Sequence, residues 1–149
     1  MPPEPSKAAA RSVFSWPVRV YYEDTDAGGI VYHANYLRFF ERARTEWLRS
    51  LGGPSHSELA QARGEFFVVR DMRIEYLKPA RLDDMLSIEL AIVGGRRASA
   101  TLRQWARRQD GDEILADAEV RIAMIRRSDS RPVGLPDWLT QSIQPGTTR

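Results

Sequence analysis

Residues 30–53 read IVYHANYLRFFERARTEWLRSLGG, and the spacing of their apolar side chains constrains the rest of the chain. Tyr36, Phe40, Ala43, Trp47 and Leu51 follow one another at intervals of four, three, four and four residues. In an α-helix those intervals bring side chains onto one face, so the segment predicts one amphipathic helix with a buried stripe. Gly52 and Gly53 supply its stop. On the N-terminal side, Pro17 to Glu23 alternates Val18, Val20 and Tyr22 with Arg19 and Tyr21, the period of a strand with one buried face.

On the C-terminal side, a polar connector with Pro54, Ser55 and His56 leads into sheet-like alternation that lasts to about residue 127. Met72, Ile74 and Tyr76 share one side of FFVVRDMRIEYLKP. Leu86, Ile88, Leu90 and Ile92 repeat every second residue, and Gly94-Gly95 follows them as a hairpin pair suited to positive φ. RRASATLRQWARR and ILADAEVRIAMIRR are divided by a turn at Asp110-Gly111-Asp112, and the second carries Ala116, Ala118, Val120, Ile122 and Met124 on one face. One strand, one helix and four long strands predict an α+β fold in which an antiparallel five-stranded sheet wraps around one long central helix. The outer face of such a sheet is either polar and wet or covered by another subunit; Trp105, Phe66 and Phe67 favour self-association.

The expected organisation is a disordered tail over 1–15, a domain over 16–128, and an irregular tail over 129–149 containing Pro132 and Pro136. With no cysteine, a disulfide framework, a thiol nucleophile and thiolate zinc sites are excluded. The net charge of +2 gives no reason to expect nucleic acid, since the arginines are interspersed with acids. Two histidines 23 residues apart, without a third ligand, predict no metal site. No stretch approaches the ~18 apolar residues that span a bilayer, and the N-terminus lacks a secretory apolar run, so a soluble cytoplasmic protein is expected.

The chemistry is concentrated in YYEDTDAGGIVYHANY, Tyr21 to Tyr36. It holds three carboxylates in four residues, then two glycines and a histidine, between a strand and a helix. Like charges so close together repel, and burial adds desolvation, which suits acid–base work. The longer stretch EDTDAGGIVYHANYLRFFERARTEWL resembles the hotdog-fold family of 4-hydroxybenzoyl-CoA thioesterases and, within it, the Tol-Pal-associated acyl-CoA thioesterases. YLKPARLDDML, Tyr76 to Leu86, is similar to that family's junction between its second and third strands.

The resemblance implies hydrolysis of an acyl-CoA, with a thioester carbonyl held at the N-terminus of the central helix. It places the catalytic carboxylate at Asp26, as general base toward water or as nucleophile, and a catalytic histidine at His33. Unpaired helix-end amides near Val31 to Asn35, that of His33 first by analogy with the family, are expected to stabilise the oxyanion. Tyr22 matches a tyrosine of the same subgroup and is expected either to hydrogen-bond the carboxylate or to pack in the core. Val31, Tyr32 and Asn35 are expected to contact substrate. Lys78, Arg96 and Arg97 are expected to hold the CoA phosphates, with Arg81, Arg126 and Arg127 as further cations at strand ends or turns. Another hotdog branch has its catalytic carboxylate on the central helix, which brings Glu41 and Glu46 into consideration; they are read as solvated charges among Arg38, Arg42, Arg44 and Arg49. No cofactor beyond the CoA of the substrate is implied. The expected partners are a second copy, as homodimer or homotetramer, and an acyl-carrier protein. The alternatives are a non-catalytic acyl-CoA or acyl-carrier-protein binding module and, less in keeping with these motifs, a hotdog dehydratase.

Overall fold

The computed structural model describes residues 11–147. Strand β1 (Phe14–Arg19) is followed by a 3-10 turn at Tyr22–Asp24, helix α1 (Asn35–Ser50) and helix α2 (His56–Arg63). Four long strands come next: β2 (Glu65–Tyr76), β3 (Met85–Gly95), β4 (Ser99–Arg108) and β5 (Ile114–Arg126). The two-residue β6 (Pro132–Val133) and helix α3 (Asp137–Thr147) complete the chain. The strands run in the order β1-β3-β4-β5-β2, every pair antiparallel, with β6 on the end of β5.

This order explains why the sheet wraps a helix. β1 and β2, which flank α1 in sequence, lie at opposite edges, so the chain between them must cross one face of the sheet. The face of α1 that meets it carries Tyr36, Phe39, Phe40, Ala43, Trp47 and Leu48, all buried. Opposite them stand Leu86, Ile88 and Leu90 of β3, Leu102 of β4, and Ala116 and Val120 of β5, none more than 0% exposed. Each fully buried Leu or Phe contributes roughly 1.5–3 kcal/mol, so this layer supplies most of the driving force for closing the sheet on the helix. One polar group sits within it: Gln104, fully buried, accepts from Arg44 Nη1 at 3.0 Å and donates to Phe40 O at 3.0 Å. Burial pushes the Arg44 guanidinium below its ordinary pKa.

The α+β hotdog architecture expected from the sequence is the one observed, and several boundaries differ. β1 begins at Phe14, paired with Leu90, and ends at Arg19, so Tyr22 belongs to the following turn instead of the strand. Of the tail expected over 1–15, residues 1–10 lie outside the described residues, while Phe14 and Ser15 are already strand. The polar connector after α1 is partly helical. Ser55 accepts the Glu58 N–H at 3.2 Å and Glu58 accepts the Ser55 N–H at 2.7 Å, a capping box that starts α2. Gly94 and Gly95 do not take positive φ; the turn falls after them, and Gly95 gives room to Ile143, whose Cγ2 would be 3.1 Å from an added Cβ.

The largest departure is the C-terminal segment, expected to be irregular. Leu135, Leu139 and Ile143 are buried at a four-residue spacing, and α3 lies against β3. Pro136 sits immediately ahead of the helix and its carbonyl accepts the N–H groups of Leu139 and Thr140, so the proline marks the start of α3. Among the described residues no helix is long and apolar enough to cross a membrane.

Candidate active site

The segment between β1 and α1 folds as a tight hairpin with a hydrogen-bonded anchor on each side. Thr25 bridges Val31, Asp26 N–H donates to Ile30 O at 2.9 Å, and Gly29, at φ +80°, closes the turn with its N–H on Asp26 O at 3.0 Å. A non-glycine residue is strained in that left-handed conformation. Asp26 Oδ1 accepts the Gly28 N–H at 2.8 Å, while the carboxylate as a whole stays exposed. An aspartate in this arrangement is a turn former by one oxygen and remains open to water or a ligand by the other.

A second set of bonds ties the hairpin to the β2–β3 connection. Val31 N–H donates to Ala80 O at 2.9 Å, and Ile30 bridges Arg81. That connection is itself held by Arg108, whose Nη2 reaches Pro79 O at 2.8 Å, whose Nε reaches Asp84 at 3.3 Å and whose Nη1 reaches Glu113 at 2.9 Å. Lys78 pairs with Glu113 at 2.7 Å, and the bond from Lys78, reinforced by Arg108, holds the Glu113 carboxyl below its ordinary range.

The amide inventory narrows the expected oxyanion donors. Val31 N–H is committed to Ala80, Tyr32 N–H to Asp24 O at 2.8 Å, and Asn35 N–H to Tyr32 O at 2.8 Å. Among the described residues, the N–H groups of His33 and Ala34 donate to no carbonyl, and no side chain caps α1. An uncapped helix N-terminus of this kind concentrates partial positive charge where an oxyanion can use it.

An aromatic wall stands beside these amides. The His33 ring lies 4.7 Å from Tyr32 and 6.0 Å, edge-on, from Tyr76, and Tyr76 is 5.6 Å from Tyr36. Tyr76 Oη donates to His33 O at 2.9 Å, fixing the residue that leads into the helix. Burial raises both the Tyr36 and the Tyr76 hydroxyls above their ordinary pKa. Reading the sequence assigned Tyr76 only to a strand face; its hydroxyl contact with a backbone 43 residues away has no local signal.

Other expected residues fall elsewhere. Tyr22 is 83% exposed in the 3-10 turn, which overturns core packing, and among the described residues its hydroxyl meets no carboxylate. Val31 is buried and Asn35, 6% exposed, directs its side-chain amide to Asp24 at 2.6 Å, so neither is laid open toward a ligand. The cations divide between two ends of the sheet. Lys78 and Arg81 sit at the hairpin's end, whereas Arg96 and Arg97 follow the far end of β3 and Arg126 and Arg127 the far end of β5. A strand of 11 residues at ~3.3 Å per residue separates Arg96 and Arg97 from the Asp26 hairpin of their own chain. On α1, Glu46 pairs with Arg49 at 2.7 Å, as its spacing suggests, while Glu41 accepts from Thr45 at 2.6 Å. No group of three His, Asp or Glu side chains among the described residues is placed to hold a metal ion.

The arrangement is a hotdog sheet around one helix, with an exposed carboxylate loop leading into that helix's uncapped N-terminus. The thioesterase superfamily model matches residues 28–115. This chain belongs to the thioesterase superfamily. It is 46% identical over 125 residues to the acyl-CoA thioester hydrolase YbgC of Escherichia coli strain CFT073, covering 84% of this chain and 91% of that one. To the acyl-CoA thioesterase YbgC of Haemophilus influenzae it is 44% identical, covering 83% and 88%. Among solved structures, a probable thioesterase from Bartonella henselae matches at TM-score 0.76 and 38% identity, over 82% of this chain and 98% of that one. A 1,4-dihydroxy-2-naphthoyl-CoA thioesterase from Synechocystis shares the fold at TM-score 0.81 and 22% identity, over 87% and 94%.

Proposed function

We propose that this protein hydrolyses acyl-CoA thioesters to free CoA and a carboxylic acid, with Asp26 as the attacking or activating carboxylate. The observation that carries this reading is the pairing of an exposed Asp26 carboxylate with the unpaired amides of His33 and Ala34 at the start of α1. Charge that develops on the thioester oxygen is stabilised by those amides and the helix dipole, while Asp26 delivers water or forms a mixed anhydride. His33, exposed and with its carbonyl held by Tyr76 Oη, stands where its ring orients water or stabilises charge. The names of the YbgC relatives support acyl-CoA as the substrate class. The reaction is expected to need no metal or cofactor, to take place in the cytoplasm, and to accept an acyl-carrier protein as a further acyl donor.

The working unit is a homodimer, or a pair of dimers. β2 is an edge strand of twelve residues, and the exposed Val69, Tyr76 and Leu77 lie along or just beyond it. A second copy paired on that edge satisfies its open backbone groups and places another subunit beside the aromatic wall. The test is CoA release from a panel of acyl-CoAs of graded chain length plus 4-hydroxybenzoyl-CoA, without added metal, with light scattering at the assay concentration. Turnover by a species larger than the 17.0 kDa monomer is expected. No release above background across the panel would leave the binding-module reading standing.

A further inference from the structure

The run from Glu23 to Asp26 holds three acids, of which Asp24 alone is buried, at 4% exposure. No cation pairs with it among the described residues, so its charge is met by hydrogen bonds. Its carboxylate accepts the Tyr21 N–H at 2.8 Å and Asn35 Nδ2 at 2.6 Å. Its own N–H donates to Tyr21 O at 3.0 Å, and its carbonyl accepts the Tyr32 N–H at 2.8 Å. One residue thereby joins the end of β1, the far side of the Asp26 hairpin and, through Asn35, the first residue of α1.

The identity of residue 35 matters here. A Ser, Thr, Asp or Asn at the N-cap turns its oxygen onto the helix's own amides, but Ala34 holds that place here and Asn35 lies one residue beyond it. Asn35 instead donates outward, so a carboxylate from another segment anchors the helix while the His33 and Ala34 amides stay open. Resting on the hydrolase reading above, we propose that Asp24 and Asn35 are positioning residues for thioester hydrolysis. Their bond sets the distance between the hairpin that carries Asp26 and the helix end that carries the oxyanion donors. They touch neither substrate nor reacting atoms. A misplacement of about 1 Å between such groups is enough to cost on the order of 10² in rate.

The experiment compares Asn35→Ala, Asp24→Ala and the exchange Asp24→Asn with Asn35→Asp, each assayed for kcat and KM against wild type with matched folded fraction. Asn35→Ala removes the donor. Asp24→Ala removes the acceptor of both the Tyr21 N–H and the Asn35 amide. The exchange rebuilds both bonds with their direction reversed: the new amide at position 24 accepts from Tyr21 N–H and donates to the new carboxylate at position 35. Both single variants are expected to lose about ten- to a hundredfold in kcat with KM within about threefold, and the exchange to recover most of that loss. Melting temperature falls in the single variants whether the bond is structural or positioning, so the split between kcat and KM and the recovery decide. Full kcat in folded Asn35→Ala, or an exchange variant as impaired as the single variants, overturns the proposal. Absence of turnover in the wild type instead removes the hydrolase reading itself.

Discussion

The two ends of α1 are finished in opposite ways. At the C-terminal end, Leu51 and Gly52 donate to the carbonyls of Leu48 and Arg49, Gly52 turns the chain at φ +84°, and Gly53 is closed over by the Trp138 ring. A Cβ on Gly53 would lie 2.3 Å from Trp138 Cε2, so the seat admits no side chain. At the N-terminal end, among the described residues, there is no side-chain cap, the His33 and Ala34 amides are left without partners, and the neighbouring carboxylate is exposed. One end is built for packing and the other keeps polar groups unmatched; only unmatched groups are free to act on a substrate.

That contrast predicts that substitutions at the two ends separate turnover from stability. The largest effect is expected for Asp26→Asn. The new amide still accepts the Gly28 N–H, so the hairpin is retained and only the charge is lost. Turnover should fall by roughly 10² or more with little change in melting temperature; near-normal turnover removes Asp26 from the mechanism. Gly53→Ala should do the reverse. Displacing Trp138 is an overpacking change of about 1–3 kcal/mol, which lowers the melting temperature by several degrees while kcat per folded molecule is unchanged. An unchanged melting temperature would show that Trp138 moves aside freely.

The smallest effect concerns the region just past the packed end. Partial desolvation of an otherwise exposed ring, reinforced by Arg49, lowers the pKa of His56 below the usual value of ~6.5. The unfolded chain therefore takes up a proton there before the folded one, so stability is present above about pH 6.5 and declines as pH falls below it. Between pH 7.5 and 5.5 the wild type should lose slightly more melting temperature than His56→Gln; equal losses would mean that His56 is not part of the acid response.

The packed end and the open end were unequally legible in the sequence. The helix stripe, the alternating strands and the Asp-Gly turn are local periodicities, and each reappears with nearly the expected residues. The loop at 24–35 is legible as a candidate site because few packing arguments require that combination of acids and glycines. Composition alone does not divide the labour between Asp24 and Asp26; the resemblance singles out Asp26, and the fold adds that Asp24 is buried while Asp26 is exposed. α2 had a readable start in Ser55 and Glu58, and α3 a readable stripe in Leu135, Leu139 and Ile143. Flanking prolines outweighed that stripe, since what makes α3 a helix is its contact with Gly53 and Gly95, residues far back in the chain. The division of Arg96 and Arg97 from Lys78 likewise follows from strand direction, which spacing does not encode.

The strand order has a consequence for how the chain acquires its chemistry. β3, β4 and β5 join sequence neighbours through short turns, whereas Phe14 of β1 must find Leu90 and Glu65 of β2 must find Arg126. Pairings between distant segments carry a loop-closure cost that the central meander does not. The Asp26 hairpin hangs between exactly those two late-joining strands and is fastened to Ala80 and Arg81 beyond them. A partly folded chain with its meander complete therefore has no site, and recovery of turnover during refolding reports the closing of the whole sheet.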